Sequence, residues 1–480
     1  MRVLIANRGE IARRVIRACR ALGLKTVAVY SDADRYALHV READEAFALG
    51  LPPPVQSYLR IEKILEIAKR SQCQAIHPGY GFLSENPDFA QAVEEAGLVF
   101  IGPTAQAIRL LGDKVAARRL AQSLGIPTLP GTLTKITDFH EAKRIAEGLG
   151  YPVLTKAAAG GGGKGMRVVH SPEELESALE RAMSEAYTAF GDSSVFLERF
   201  VPRAKHIEVQ ILADGHGSVV HLFERECSVQ RRHQKLIEES PAPVLTDSER
   251  ALICEAAVKL AQAARYRSAG TVEFLYDLDQ QRFYFLEVNT RLQVEHPVTE
   301  MRTTIDIVQE QLRIAAGEKL SFSQSEVRPR GHALELRLCA EDPQNDFAPS
   351  LGKIVEVHFP QGEHIRVDHG IQPGDRIWPY YDSLIAKLIV WGEDRQQAIS
   401  RAVEALDETF VLGVRTTVGF HRRALEHPEF RSGSYSTDFV QREYQQLLSG
   451  LPPELSEVLA LGAVAKELER CYAIYRDYQR

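Results

Sequence analysis

The stretch 157-AAAGGGGKGMR-167 decides how the chain is read. Four consecutive glycines, a lysine and a fifth glycine make a phosphate-holding composition, because bare backbone N–H groups can approach anionic oxygens unobstructed. It is not a P-loop: Lys164 is followed by Gly165 instead of Ser or Thr, and the position five before Gly163 is Ala158. A G-x-G-x-x-G pattern is formally present at Gly160, Gly162 and Gly165, but a dinucleotide site needs it to open a helix after a strand. Ahead, "YPVLTKAA" reads as a strand. Behind, "MRVVH" is apolar and β-branched with no helical period, and also reads as a strand. The unit is therefore a strand–glycine–strand hairpin, expected to lie over a nucleotide as a flap with its N–H groups toward phosphate oxygens. The bland alternative is a flexible turn, but turns seldom need five glycines in six residues.

Working outward, 480 residues exceed one hydrophobic core, and about two to four domains are expected. The 26% charged and 44% apolar content is globular. A net charge of −7 argues against a nucleic-acid partner. Without a run of about twenty apolar residues or an apolar leader, neither a membrane span nor a secretory signal is expected. Cysteines 19, 73, 227, 254, 339 and 471 are scattered with no C-x-x-C pair, which fits reduced thiols in a cytoplasmic protein.

Residues 1–113 alternate strand and helix: "RVLIAN", then Ile11, Ala12, Val15, Ile16, Cys19 and Leu22 at helical spacing, then "TVAVYS" and "LVFIGP". This predicts a Rossmann-like, doubly wound parallel α/β unit. Its first turn, "NRGE", has too few glycines for a dinucleotide. A second unit spans 114–330, with a lid over 131–204 entered through the hinge "GIPTLPG". Within it "HIEVQILAD" and "GSVVHLFERECS" form a hairpin at Asp214–Gly217, and an amphipathic helix runs from Asp247 to Tyr266. Residues 331–447 hold further strands and two short helices, and 448–480 read as a helical tail.

The hairpin 271-TVEFLYDLDQQRFYFLEVNTR-291 yields most to geometry. Glu273 and Glu287 each stand seven residues from Gln280. A three-residue turn pairs Leu278 with Arg282 and sets Glu273 opposite Glu287, with Leu275, Phe285 and Asn289 on the same face. Two carboxylates so opposed repel unless a cation joins them. A divalent metal held by Glu273, Glu287 and Asn289, its shell completed by nucleotide phosphates, removes the penalty. Downstream stand Arg291, Gln293, Glu295 and His296. Upstream, "SVQRRHQK" supplies Gln230, His233 and Lys235 as a basic loop. Two such loops beside a metal hairpin suggest a small anionic substrate held by guanidinium and ammonium donors. Cys227 lacks a neighbouring base and reads as a buried structural thiol.

The blocks "IANRGEIA", "AIHPGYGFLSEN", "KAAAGGGGKGMR", "ERECSVQRRHQK", "EVNTRLQVEHPVTE", "RGHALELRLCAED" and "YYDSLIAKLIV" run in one order over roughly residues 1–445 and resemble biotin carboxylase, an ATP-grasp enzyme. The resemblance implies an α/β ATP-grasp fold with a C-terminal α+β domain. It implies ATP-dependent carboxylation of carrier-linked biotin by bicarbonate, through carboxyphosphate. ATP would be bound by Lys114, Lys156, Gly162, Gly163, the segment Glu198, Arg199, Phe200 and Val201, and by His206, Gln230, His233, Glu273 and Glu287. Mg²⁺ or Mn²⁺ would sit on Glu273, Glu287 and Asn289. Bicarbonate would meet Lys235, Arg291, Gln293 and Val294. Lys235, Arg291, Glu295 and Arg337 would be catalytic, with Glu295 as general base and Arg337 on biotin. Implied partners are a biotin carboxyl carrier protein, carboxyltransferase subunits and a second copy of the chain.

Departures from the family pattern are Arg199 in place of a common lysine, Ala159 where the glycine run often begins, and Thr417 in place of a frequent asparagine. No methionine is followed by lysine, so biotin is expected to arrive on another protein, or the chain is a fragment. The alternatives are an ATP-grasp ligase for another carboxylate, as in carbamoyl phosphate formation, and a nucleotide-binding regulatory protein without catalysis.

Overall fold

In the computed structural model, which describes residues 1–449 apart from 133, 134, 137 and 158–165, together with residue 466, the N-terminal run of short apolar segments forms a parallel sheet. Its strands β1 (Arg2–Ile5), β2 (Lys25–Ser31), β3 (Glu45–Gly50), β4 (Ala75–His77) and β5 (Val99–Phe100) lie in the order β3-β2-β1-β4-β5. Strand order reverses about β1, as the doubly wound reading requires. Helix α1 (Gly9–Ala21) buries Ile11, Ala12, Val15, Ile16 and Cys19, the residues its spacing singled out.

Helix α2 (Lys114–Ser123) starts where Asp113 accepts hydrogen bonds from the N–H groups of Val115 and Ala116, which fixes Lys114 in its first turn. Next comes a small subdomain of α3 (Phe139–Leu149), β6 (Val153–Ala157), β7 (Arg167–Val169), α4 (Pro172–Phe190) and β8 (Val195–Arg199). Its sheet order is β7-β6-β8, and Ala142, Ala146, Leu175 and Ala182 pack with Val153, Val169 and Leu197 into a separate core. Val153 pairs with Val169 and Thr155 with Arg167, antiparallel, so the strands flanking the glycine run close a hairpin as expected. Ala159 and residues 160–165, with Gly162 and Gly163 among them, lie outside the described residues, as does the tail beyond 449 except residue 466.

An eight-stranded antiparallel sheet forms the centre of the rest of the chain, beside three two-stranded sheets. Its members are β9 (Ala204–Ala213), β10 (Val219–Arg231), β11 (Gln234–Ser240), β12 (Ser268–Asp277), β13 (Arg282–Asn289), β14 (His332–Cys339), β15 (Ile365–His369) and β16 (Leu384–Gly392), ordered β13-β12-β9-β10-β11-β14-β16-β15. The 331–447 segment thus shares one sheet with the strands before it through β11–β14 pairing. Helix α5 (Asp247–Ala263), started by a Thr246–Glu249 capping box, covers one face with Ile253, Ala257 and Leu260 against Ile207, Val209 and Ile211. The intervening residues of β9, His206, Glu208 and Gln210, point to the opposite face. That face is roofed by α6 (His296–Thr303) and is charged. No helix among the described residues is long and apolar enough to cross a membrane.

Two expectations about hairpins need correction. Asp277, not Leu278, pairs with Arg282, so the β12–β13 loop is one residue longer than a three-residue turn. A β-bulge at Leu286 then absorbs the difference and restores Glu273 opposite Glu287. The same bulge turns Phe285 away from the carboxylates: it pairs with Phe274 and joins the α5 core. "SVQRRHQK" is not a loop. Gln230 and Lys235 face each other across β10–β11, and only Arg232 and His233 make the turn, both with positive φ (48° and 66°). That is a type I′ geometry, built here without glycine or asparagine at a cost of about 1–3 kcal/mol per residue.

Gly270 in β12 approaches Tyr266 so closely that an added Cβ would lie 2.5–2.7 Å from its ring and hydroxyl. Tyr266 is buried and donates to the Ala269 carbonyl. Gly270→Ala is therefore expected to destabilise the large sheet by about 1–3 kcal/mol, seen as a lower thermal midpoint. An unchanged midpoint would contradict this packing.

Candidate active site

Register brings the acidic hairpin residues together, and cations meet them from three directions. Glu273 accepts from Lys235 Nζ at 2.8 Å and lies 3.1 Å from His206 Nε2. Glu287 lies 3.0 Å from Lys114 Nζ, and Asn289 Oδ1 accepts from Arg291 Nη2 at 3.1 Å. The hard oxygen donors proposed for a divalent ion are thus each held by a cationic or histidine donor. One atom from each of His206, Glu208 and Glu273 also lies within 4.8 Å of the other two.

Lys235 is the hub. Its ammonium donates to Glu208 (2.5 Å), Glu273 (2.8 Å) and Glu295 (2.7 Å). Arg337 holds the other oxygen of Glu295 at 3.0 Å while its Nε donates to Glu238 at 2.6 Å. Arg225, fully buried, bonds Glu208, Gln210, Thr271 and Thr299. Burial opposes ionisation of Glu295, but Lys235, Arg337 and Arg225 outweigh it and hold the carboxyl well below the usual range. Glu273 is held well below likewise, against burial, by Lys235 and His206. Burial pushes Glu238 up to about 7 despite Arg337. Glu295 occupies the N-cap position of α6 yet makes no capping bond. A carboxylate there ordinarily serves the first-turn N–H groups; this one is spent on cations.

The loop before α6 locks this arrangement. Arg291 donates to Glu85 of the N-terminal unit (2.9 Å) and to the Gln293 side chain (2.8 Å), and Gln293 donates to Glu273 at 3.3 Å. His296, buried, meets the Gln293 carbonyl through Nδ1, and Lys387 donates to the Val294 carbonyl at 2.8 Å. Lys235, Arg291, Val294 and Arg337 share a cavity of about 450 Å³ with Tyr80 and Tyr381 from either end of the chain.

A second, small cavity joins Lys114, Lys156, Glu198 and Glu287. Glu198 is buried and pairs with Lys156 and, at 3.3 Å, with Arg118. Arg199 is exposed, Phe200 half-buried and Val201 buried against Leu129. Gln230 is buried, whereas His233 is exposed at the β10–β11 turn. Cys227 is buried, its thiol pushed well above the usual range by burial, which suits a structural thiol. Thr417 has a definite place: its hydroxyl accepts from the Cys339 N–H and donates to the Arg337 carbonyl, both at 3.0 Å, fixing the strand that carries Arg337.

Sequence reasoning missed Glu85, Arg118, Glu208, Arg225, Glu238, Glu335 and Lys387. Glu208 and Glu335 carry one signal, a polar or charged residue at every second position of an apolar strand, in "HIEVQ" and "LELRL".

Comparisons with known proteins give three family matches along the chain. "Biotin carboxylase, N-terminal domain" matches residues 1–108, "Carbamoyl-phosphate synthase L chain, ATP binding domain" 113–323, and "Biotin carboxylase C-terminal domain" 335–442. A biotin carboxylase of Nostoc sp. is 52% identical over 440 residues, 92% of this chain and 98% of that one. Biotin carboxylase 1 of Bacillus subtilis is 50% identical over 440 residues, again 92% of this chain and 98% of that one. Among solved structures, the biotin carboxylase domain dimer of Hydrogenobacter thermophilus 2-oxoglutarate carboxylase, with MgADP, ADP and bicarbonate, has a TM-score of 0.91. It is 47% identical, covering 94% of this chain and 99% of that one. A Campylobacter jejuni biotin carboxylase–β,γ-ATP complex has a TM-score of 0.90 and 45% identity, covering 92% and 98%.

Replacing Lys235 by Met strands three carboxylates and is expected to cost about 3–5 kcal/mol at neutral pH. Because Lys235 depresses Glu273 and Glu295, its stabilisation is present above the ordinary glutamate range and is lost as pH falls. The gap in thermal midpoint between wild type and variant should therefore narrow on acidification. A gap that is constant or widens toward acid would contradict the hub.

Proposed function

The chain belongs to the biotin carboxylase family, and from that premise we propose how its buried charge cluster performs the family's reaction. The enzyme is a ligase: it carboxylates biotin, presented on a carrier, with bicarbonate and ATP. The observation that carries the residue assignments is the double hold of Lys235 and Arg337, which line the large cavity, on the fully buried Glu295.

Bicarbonate is a poor nucleophile toward ATP, so two anions must be aligned and neutralised together. Lys114 and Lys156 receive the phosphates, with the segment Glu198–Val201, His206, Gln230 and His233 around the nucleotide. Glu273, Glu287 and Asn289 fit a hard cation, since all three offer oxygen and each already satisfies a cationic or histidine donor. They would hold Mg²⁺, which when bound neutralises charge on the transferring phosphoryl group.

Lys235, Arg291, Gln293 and Val294 receive bicarbonate. Paired with two cations, Glu295 is a weak base. An arriving anion that draws Lys235 or Arg337 away raises its basicity, so substrate binding switches the base on. As bicarbonate oxygen bonds to the γ-phosphorus, the bond to ADP breaks and Glu295 takes the proton. The carboxyphosphate so formed divides into CO₂ and phosphate. A ureido nitrogen is a very weak acid, so the released phosphate takes its proton as the nitrogen bonds to CO₂, while Arg337, charged at every relevant pH, faces the oxygen where negative charge gathers on biotin.

The carrier protein and carboxyltransferase subunits complete the cycle, and two copies of this chain pair. The dimer of the Hydrogenobacter domain and the naming of relatives as carboxylase subunits support this. The described cysteines, all free and buried, suit the cytoplasm. The carbamoyl-phosphate alternative keeps only the central nucleotide-binding segment. It leaves Arg337 and the 335–442 match without a purpose.

ATP cleavage should require bicarbonate and rise when free biotin is added. Glu295→Gln should retain ATP binding while biotin carboxylation falls by about 10²-fold or more. Cleavage indifferent to both substrates, or carboxylation undiminished in the variant, would contradict the reading.

A further inference from the structure

The reaction engages Arg337 and leaves the buried acid behind it without a task. Glu335 on β14 stands directly opposite Glu238 on β11, and both residues are 0% exposed. Opposed residues lie about 4.5–5.5 Å apart at Cβ, a separation at which like charges repel. Glu238 has Arg337 Nε at 2.6 Å. Neither oxygen of Glu335 has a hydrogen-bond partner among the described residues.

The cations near Glu335 are already committed. Arg337, two residues along the same strand, is shared by Glu238 and Glu295. Lys387, on β16, donates to the Val294 carbonyl and sits 3.3 Å from Glu10. Directly across on β16 is apolar Ile389. From the roof, Glu295 adds negative charge, and His296 is kept neutral by burial and by nearby Lys387. A buried carboxylate with no hydrogen bond and no cation of its own is among the costliest groups a protein can hold, and such groups take up a proton.

We infer that Glu335 is a protonated positioning residue, a neutral carboxyl that lets Glu238 alone anchor Arg337 from behind and leaves the other edge of the guanidinium to exchange between Glu295 and biotin. Burial pushes Glu335 well above the usual range; Lys387 offsets part of this and Glu238 adds to it. As pH rises and Glu335 ionises, two carboxylates compete for Arg337 and draw it back from biotin. The functional half of the inference rests on the assignment of Arg337 to biotin; the protonation does not.

Infrared difference spectroscopy of the full chain against Glu335→Gln at neutral pH should show a protonated-carboxyl band in wild type that the variant lacks. Its absence overturns the inference. KM for free biotin should rise on the alkaline side in wild type, by about tenfold per pH unit beyond the ionisation, and stay flat in the variant, while KM for ATP follows one course in both. The same biotin profile in both proteins overturns the positioning role. Should the variant not fold, wild type carries the test alone: the band must bleach in step with the rise in biotin KM, and a band that bleaches independently overturns it. Failure of bicarbonate-dependent ATP cleavage in wild type would strike the proposed reaction instead, leaving the infrared result intact.

Discussion

An excess of buried carboxylates over cations on one face of the large sheet governs the rest of the structure. Glu208, Glu238, Glu273 and Glu335, with Glu295 from the roof, are all buried there, against Lys235, Arg225, Arg337 and Lys387. Each ion withdrawn from water costs several kcal/mol, and apolar residues of similar volume would often serve stability better. The sheet bears this cost where the cavity opens, and the strained Arg232–His233 turn beside Lys235 adds to it. The opposite face buries charge too, Glu226 beside Lys205, Glu224 beside Arg250 and Glu239 beside Arg395, but each of those acids has a cation of its own; sharing of a few cations among more acids marks the cavity face as the working one.

The N-terminal unit is part of that face. Glu85 holds Arg291, and Tyr80 donates to Glu10, which in turn lies beside Lys387. Arg14 reaches Glu300 on the roof helix at 2.8 Å, and Arg366 reaches the same carboxylate at 2.7 Å. The cavity is therefore walled by three regions of the sequence, and a displacement of any of them shifts the cations over Glu295.

How much of this is legible in the sequence depends on what each signal measures. Period-two and period-3.6 patterns report local structure, and they make the doubly wound unit, the glycine hairpin and α5 readable. The opposition of Glu273 and Glu287 is also readable, although the assumed three-residue turn is wrong: the bulge at Leu286 corrects the register, and the same bulge displaces Phe285. Bulges depend on pairing partners that a single strand does not display. The "SVQRRHQK" segment looks like a solvated loop because its charge is high. Its residues pair with each other across β10–β11, and the acids that neutralise it, Glu208, Glu273, Glu295 and Asp346, come from elsewhere in the sequence. Glu208, Glu238 and Glu335 escape a reading of the sequence for the same reason, since a carboxylate's burial is set by what the fold brings opposite.

The central claim is that Lys235 and Arg337 are lent to Glu295 and drawn off it by the substrate. A crystal structure of this chain with Mn²⁺, a non-hydrolysable ATP analogue and bicarbonate tests it most directly. The account predicts an anomalous manganese peak shared by Glu273 and Glu287, with at least one of the two cations withdrawn from Glu295 and bonded to the carbonate. Manganese elsewhere, or both cations still on Glu295 with bicarbonate bound, would contradict it.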